Sequence, residues 1–232
     1  MSPINFNSIA NDLNVPNSKN NFSNQLCPDQ YVGEIIYNAA IQEWAWAANY
    51  ICTNQAGRMN IDYTGVGYKN CILIILESPH FDEYDTNTHQ AKGPAMGLTG
   101  KLFEKHFLSI INGINNNNLV LDKDLTYNII FVNSVQYQAS QGMKPLNPSI
   151  RDKNWLDFWY QGFNADLCKR VREYGFETIV INMCTYGQNM LHNRVQGVLR
   201  CGYRKHEMNM SNLHQSYHPS TWWIKSRRKI WR

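Results

Sequence analysis

The stretch CILIILESPHFDEYDTNTHQAKGPAMGLTG, residues 71–100, organises the rest of this 232-residue chain. Its first six residues form an unbroken apolar run that is too short for a helix and is typical of a buried central strand in a parallel sheet. The run ends in Glu-Ser-Pro-His at residues 77–80, and acids follow at Asp82, Glu83 and Asp85. Because open α/β sheets bind ligands beyond the carboxyl ends of their strands, we expect residues 77–85 to form the loop of a functional site.

Two further apolar runs have the same character, YNIIFV at residues 127–132 and TIVINM at residues 178–183. The first of them is followed by the polar residues Asn133 and Ser134. Helical periodicity is predicted for residues 98–114, 155–174 and 186–199, and a short strand or hairpin for residues 201–210. Strands that alternate with helices indicate right-handed βαβ crossovers. The sequence therefore predicts an α/β fold, a three-layer α/β/α sandwich with a central, mainly parallel four-stranded sheet.

The N-terminal part of the chain carries weaker signals. Residues 1–26 are rich in Asn and Ser with few apolar anchors, which predicts a flexible N-terminal arm that could also become ordered on a partner. Residues 27–232 are expected to form a single α/β domain. From Pro28 onward, apolar residues recur at near-helical spacing, which predicts a long packing helix that ends near Gly57.

Composition limits the class of protein. No signal-peptide pattern and no apolar stretch of about 18 residues occurs in the sequence, so we expect a cytoplasmic protein without a membrane partner. The six cysteines are scattered without a CxxC pair, so we expect reduced thiols and neither a metal nor another cofactor. The net charge is +4, and the last eight residues hold five Lys or Arg and no acid. This bias permits a polyanionic partner. We expect the protein to be a monomer.

Three polar segments carry a resemblance to a known family. They are Glu77-Ser78-Pro79-His80, Asn133-Ser134 and Tyr217-His218-Pro219-Ser220. In their order and spacing they resemble the uracil-DNA glycosylase superfamily, which has a Gly-Gln-Asp-Pro-Tyr-His or Gly-Glu-Ala-Pro-Gly motif after its first core strand, an Asn after a later strand and a His-Pro-Ser loop near the end. The Gly-Glu-Ala-Pro-Gly branch is most similar, because Glu83 follows the proline by four residues and the glycine-rich residues 93–100 lead into a helix. The resemblance covers residues 71–223.

The resemblance implies a glycosylase-like domain that acts as a monofunctional DNA glycosylase. Cleavage of an N-glycosidic bond develops positive charge on the sugar and negative charge on the leaving base, so it needs a carboxylate and a hydrogen-bond donor. Glu77 or Glu83 can supply the carboxylate, with Asp82 and Asp85 less suited, and the resemblance implies that His218 is the donor. The remaining residues would contact the extruded base, Asn133 through the N3 and O4 or N4 edge of a pyrimidine, and Ser78 and His80 beside it.

The family inserts the loop after its His-Pro-Ser motif into duplex DNA. At that position this chain has Ser220, Trp222 and Trp223, followed by the cations Lys225, Arg227 and Arg228. An indole can stack on a base for about 1–3 kcal/mol, and the cations can pair with flanking phosphates. Alternatively the two tryptophans pack on the core, or one packs while the other projects.

The chain also departs from the family pattern, and these departures leave the substrate open. Leu76 replaces the glycine before Glu77, Ser78 stands where a water-orienting Asp occurs, His80 stands where a tyrosine excludes the thymine methyl, and the iron–sulfur cysteines are missing. Uracil is the family substrate, and a modified cytosine, such as hydroxymethylated or glucosylated phage cytosine, competes with it. The enzyme would then serve base-excision repair or antiviral defence. Two other functions stay open: a catalytically inactive DNA-binding module on the same fold, and a nucleoside or nucleotide hydrolase.

Overall fold

A computed structural model of the chain describes residues 25–47, 69–88, 90–113, 119–139 and 148–232. One sheet runs through these residues, and its strand order is β2-β1-β4-β3-β5-β6-β7. The strands are β1 (Gln30–Asn38), β2 (Glu43–Trp46), β3 (Cys71–Leu76), β4 (Tyr127–Asn133), β5 (Ile179–Asn182), β6 (Leu213–Ser216) and β7 (Ile230–Trp231). The four central strands β4, β3, β5 and β6 are parallel, whereas β1, β2 and β7 are antiparallel to their neighbours. The mixed α/β fold agrees with prediction, but the four-stranded sheet is wrong, because the sheet has seven strands.

The parallel strands are buried on both faces. All six residues of β3 are buried, and alternate residues point to opposite sides, so Leu73 and Ile75 join one hydrophobic cluster while Ile72 and Ile74 join the other. This double burial explains the continuous apolar run in the sequence. The runs predicted as strands at residues 71–76, 127–132 and 178–183 correspond to β3, β4 and β5.

Helices cover both faces of the sheet. They are α1 (Leu98–Ile111), α2 (Pro148–Phe158), α3 (Asn164–Glu173) and α4 (Leu191–Lys205). Helix α1 packs Phe103 and Phe107 on one face, and the other three helices pack on the opposite face. The helix predicted for residues 155–174 begins earlier, at Pro148, and a π-helical turn, Trp159–Phe163, interrupts it where Gly162 adopts a φ of 128°.

The helix predicted from Pro28 is wrong over the residues that the structure describes, because they form β1 and β2. Strand β1 is rich in residues that favour strands, such as Val32 and Ile35, and it pairs with β4 on the side opposite β3. Gly33, at a φ of 145°, coincides with a register shift in this pairing. The predicted end of the helix lies outside the described residues, as does the predicted arm except for its last two residues.

The strand or hairpin predicted for residues 201–210 is also wrong. Helix α4 continues to Lys205, because Leu199 and Tyr203 extend its buried stripe, and β6 begins later at Leu213. Among the described residues no helix is long and apolar enough to cross a membrane. The five cysteines in this part of the chain are free thiols.

Candidate active site

A cavity of about 320 Å³ opens at the carboxyl ends of the parallel strands, within the size range of small-molecule sites. Glu77 follows β3, Asn133 ends β4 and His218 follows β6, and all three line this cavity. Parallel strands end on the same edge of a sheet, so residues that are distant in sequence meet there. Other residues that line the cavity are Ser78, His80, Glu83, Arg151, Thr185 and Ser220.

The backbone of Glu77 is held firmly where β3 ends. Its carbonyl oxygen accepts hydrogen bonds from Ser134 Oγ at 2.6 Å, from the Val135 amide at 3.1 Å and from Trp155 Nε1 at 3.1 Å. Burial raises the pKa of its carboxyl group to about 7, and Asp152 adds to this effect, while Arg151 and the Ser78 hydroxyl oppose it. Glu77 can therefore exchange a proton near neutral pH, as a general base must.

Arg151 on α2 is a cavity residue that the sequence did not reveal. Its Nε lies 3.1 Å from Glu77 Oε1 and donates to Asp152 Oδ1 at 2.8 Å. Asp152 is fully buried, and its second oxygen accepts from the amides of Gln188 at 2.6 Å and Asn189 at 3.0 Å. Arg151 thus connects Glu77 to the turn after β5. Its sequence context is that of an ordinary polar helix, so only the folded structure identifies it.

Asn133 has a buried side chain without a hydrogen-bond partner among the described residues. It is 1% exposed, and neither its amide nitrogen nor its amide oxygen is bonded to any residue that the structure describes. Leaving such a group unpaired costs about 1–3 kcal/mol. Its backbone, in contrast, is fixed, because its carbonyl oxygen accepts from Arg170 at 3.0 Å. A fixed backbone with an open amide suits the recognition of a ligand that has its own donors and acceptors.

His218 lines the cavity and has a defined neutral tautomer. The Ser220 amide donates to His218 Nδ1 at 3.3 Å, and the Ser220 hydroxyl lies 2.8 Å from the same nitrogen. A backbone N–H can only donate, so Nδ1 accepts and the neutral ring carries its proton on Nε2. Burial, with a further effect from Arg151, lowers the pKa of His218 to about 4. The ring is therefore a neutral hydrogen-bond donor at neutral pH.

The other predicted cavity residues lie in the loop after β3. Ser78, His80 and Glu83 all line the cavity, and Glu83 is buried, so both glutamates stay candidates for the carboxylate role. The ring centroids of His80 and Phe81 are 3.9 Å apart. His80 Nδ1 lies 3.4 Å from Asp82 Oδ2. Both partners of this second contact are partly exposed, which places the pair at the mouth of the cavity.

Asp85 has a different role from the lining acids. It does not line the cavity, and its Oδ1 accepts from the amides of Asn87 and Thr88 and from the Thr88 hydroxyl. These hydrogen bonds lower the pKa of Asp85. Asp85 therefore stabilises a surface turn.

The structure corrects one DNA-contact assignment in the tail. Trp222 is fully buried and stacks on Phe103 with ring centroids 5.9 Å apart, so it is not available to DNA. Trp223 is 69% exposed. Of the three cations, Lys225 is exposed, and Arg227 and Arg228 are half-buried. Arg228 Nε donates to the carbonyl oxygen of Trp222. The burial of Trp222 could not be read from the sequence, where the two tryptophans are adjacent and equivalent.

Comparisons of the chain with protein-family models, with curated proteins and with solved structures found no match. No group of three or more His, Cys, Asp or Glu side chains in the described ranges is arranged to hold a metal ion.

Proposed function

We propose that the protein is a monofunctional DNA glycosylase that extrudes a non-standard pyrimidine and hydrolyses its N-glycosidic bond, leaving an abasic site. The base would be uracil or a modified cytosine, such as hydroxymethylated or glucosylated phage cytosine, and the role would be base-excision repair or antiviral defence in the cytoplasm. The observation that carries this proposal is the buried amide of Asn133, which has no hydrogen-bond partner in the part of the chain that the structure describes and shares one cavity with the acid Glu77 and the imidazole of His218.

Asn133 would read the Watson–Crick edge of the base. Its amide presents one donor group and one acceptor, and no described residue fixes which of them points in a given direction. A rotation of the amide by half a turn would match either a uracil-like or a cytosine-like pattern. This freedom is consistent with both candidate substrates.

His218 and Glu77 would act on opposite sides of the bond. As the C1′–N bond breaks, its electron pair moves to the base, and the His218 Nε2–H donates to the base oxygen on which negative charge develops. Ionised Glu77 orients a water molecule and stabilises the positive charge on the sugar. As the oxygen of this water forms a bond to C1′, Glu77 accepts a proton from the water. Glu83 is the alternative carboxylate for this step.

Base release from defined oligonucleotides tests the proposal. Strands that contain a single uracil, hydroxymethylcytosine or glucosylated hydroxymethylcytosine are incubated with the protein, treated with alkali and analysed for breaks, and the released base is weighed by mass spectrometry. We expect release of at least one of these bases. Glu77→Gln should reduce the rate about 10²–10⁴-fold. His218→Ala should reduce it about 10²–10³-fold.

Matched variants separate the competing functions. Glu173→Gln, which changes an exposed carboxylate on α3, should leave base release unchanged, and Glu83→Gln tests the second carboxylate. Binding of modified or abasic DNA without release, unaffected by Glu77→Gln and His218→Ala, would indicate the inactive DNA-binding module. Release from free nucleosides or nucleotides with none from DNA would indicate the hydrolase.

A further inference from the structure

An aromatic and basic surface lies directly beside the cavity. It comprises Tyr186, Tyr217 and Trp231 together with Arg227 and Lys229, and we call it the Tyr186 surface. Thr185 and His218, the immediate neighbours of its two tyrosines, both line the cavity. The Tyr186 and Tyr217 ring centroids are 6.1 Å apart, and those of Tyr217 and Trp231 are 5.1 Å apart. The three rings therefore form one continuous group.

Tyr186 is both packed on a buried ring and exposed to solvent. On one side its ring stacks on the fully buried His192, with centroids 4.3 Å apart and planes 9° apart. Tyr186 is nevertheless 37% exposed. The stack on His192 orients the Tyr186 ring, and the exposure of Tyr186 leaves part of this residue accessible to a partner from solvent.

The cations of this surface are positioned over the rings. Arg227 lies 5.8 Å from the Tyr217 centroid, and Lys229 lies 5.6 Å from Tyr217 and 5.7 Å from Trp231. Neither cation forms an ion pair with a carboxylate in the part of the chain that the structure describes. No acidic residue occurs in the sequence after Glu207. The surface therefore combines open aromatic area with positive charge that described carboxylates do not neutralise.

We propose that the Tyr186 surface binds a single-stranded DNA segment next to the nucleotide that enters the cavity. Tyr186 stacks on an unpaired base, while Arg227 and Lys229 contact phosphates of the same strand. Rigid aromatic faces with nearby cations are the general means of holding single strands. Within a duplex, both faces of a base are already stacked, so this surface favours unpaired over paired DNA. The assignment of the adjacent cavity to an extruded base rests on the proposed glycosylase function.

Binding to an unmodified strand tests the surface without requiring turnover. We measure the dissociation constant of the full chain for a fluorescent oligothymidine by anisotropy, over a series of salt concentrations. Tyr186→Leu should weaken binding about 5- to 100-fold, whereas Tyr186→Phe, which keeps the ring, should bind like the unaltered protein. Lys229→Gln should reduce the slope of log K against log salt by about 0.7, the value for one phosphate contact on a single strand.

Tyr160 supplies the matched control. It is 64% exposed and has Arg194 at 5.9 Å from its ring, so it reproduces an aromatic–cation pair outside the Tyr186 surface. Tyr160→Leu should leave binding unchanged. Thermal unfolding of each variant confirms that the fold is intact, and a duplex of the same sequence should bind more weakly than the single strand.

The two proposals can fail separately. Equal affinity of Tyr186→Leu and the unaltered protein for oligothymidine, no binding of oligothymidine at all, or a preference for the duplex would overturn the single-strand assignment, even if base release is observed. Loss of binding in Tyr186→Leu with retention in Tyr186→Phe would support it, even if no base is released from any modified oligonucleotide.

Discussion

Burial gives two residues of the cavity opposite protonation behaviour. It raises the pKa of Glu77 to about 7 and lowers that of His218 to about 4, so at neutral pH the imidazole is uncharged while the acid is close to half-ionised. An acid and a base whose pKa values are strongly shifted in opposite directions within one cavity are typical of acid–base sites. The protonation of Glu77 should therefore control how the rate of base release depends on pH.

The rate of base release should rise with pH through about 7 and then level off. Below pH 7 Glu77 is protonated and cannot accept a proton from water, while His218 stays neutral down to about 4 and adds no second change near pH 7. Arg151 lowers the pKa of Glu77, so Arg151→Gln should move the rise to higher pH. Single-turnover rates between about pH 5 and pH 9 measure both effects.

The control for that change is Arg200→Gln, which alters an exposed arginine on α4 that forms none of the ion pairs of Glu77, Arg151 and Asp152, and it should leave the profile unaltered. A profile that falls as pH rises through 7 would show that protonated Glu77 is the active form. An unchanged midpoint in Arg151→Gln would show that the ion pair with Arg151 does not set the pKa.

At the scale of elements, the turn after β5 supports the carboxylate of Glu77 through Asp152 and Arg151. Gly187 in this turn has a φ of +58°, and a Cβ placed there would lie 2.5 Å from Asp152 Oδ2. That oxygen is already held by two backbone amides. Asp152 in turn holds Arg151 beside Glu77. A side chain at position 187 would therefore disturb three linked residues.

Gly187→Ala should destabilise the protein by about 1–3 kcal/mol, through the left-handed backbone and the contact with Asp152. Gly197 provides the opposite case within the same region of the chain, because it is exposed within α4 and a Cβ there meets nothing within 4 Å. Gly197→Ala should stabilise the protein by about 0.5–1 kcal/mol. Chemical denaturation measures both free energies, and destabilisation of equal size in the two variants would contradict this explanation.

The elements also show what sequence patterns can predict. Strands β3, β4 and β5 were predictable because burial on both faces requires a continuous apolar run. Strand β1 was not predictable, because Tyr31 and Ile35 are spaced as in a helix. Its strand conformation depends on pairing with β4, which the sequence pattern does not show. In the site, the residues at strand ends could be named in advance. Arg151 could not, because its contact with Glu77 depends on how α2 packs against the sheet.

At the scale of the whole molecule, antiparallel strands extend the parallel core on both edges. Strands β1 and β2 extend it beyond β4, and β7 pairs with β6. Because β7 carries Trp231, the C-terminal segment belongs to the sheet and cannot be treated as a separable tail. Point substitutions on the Tyr186 surface are therefore better tests of DNA binding than removal of this segment.

One buried ion pair connects three separate parts of the fold. Arg170 on α3 bonds to Asp29 before β1 at 2.6 Å, to Asp166 at 2.7 Å and to the carbonyl oxygen of Asn133 at 3.0 Å. Asp29 is 6% exposed, and burial raises its pKa while Arg170 opposes that rise. Without the guanidinium, a buried carboxylate would lose its counter-charge and the end of β4 would lose a hydrogen bond.

Arg170→Met should therefore cost about 3–5 kcal/mol of unfolding free energy, because it leaves Asp29 buried without its cation. The double variant Asp29→Asn with Arg170→Met should cost less than the single Arg170→Met, since the buried charge of Asp29 is then removed and only the more exposed Asp166 loses its cation. The neighbouring Lys169 is the control: it is largely exposed and lies 3.8 Å from Glu173, so Lys169→Met should change stability by less than about 1 kcal/mol. Denaturant titrations of the unaltered protein, of the single variants Arg170→Met, Asp29→Asn and Lys169→Met, and of the double variant measure these differences. Additive effects of the two substitutions, or equal effects of Arg170→Met and Lys169→Met, would show that the pair at Arg170 does not stabilise the fold in this way.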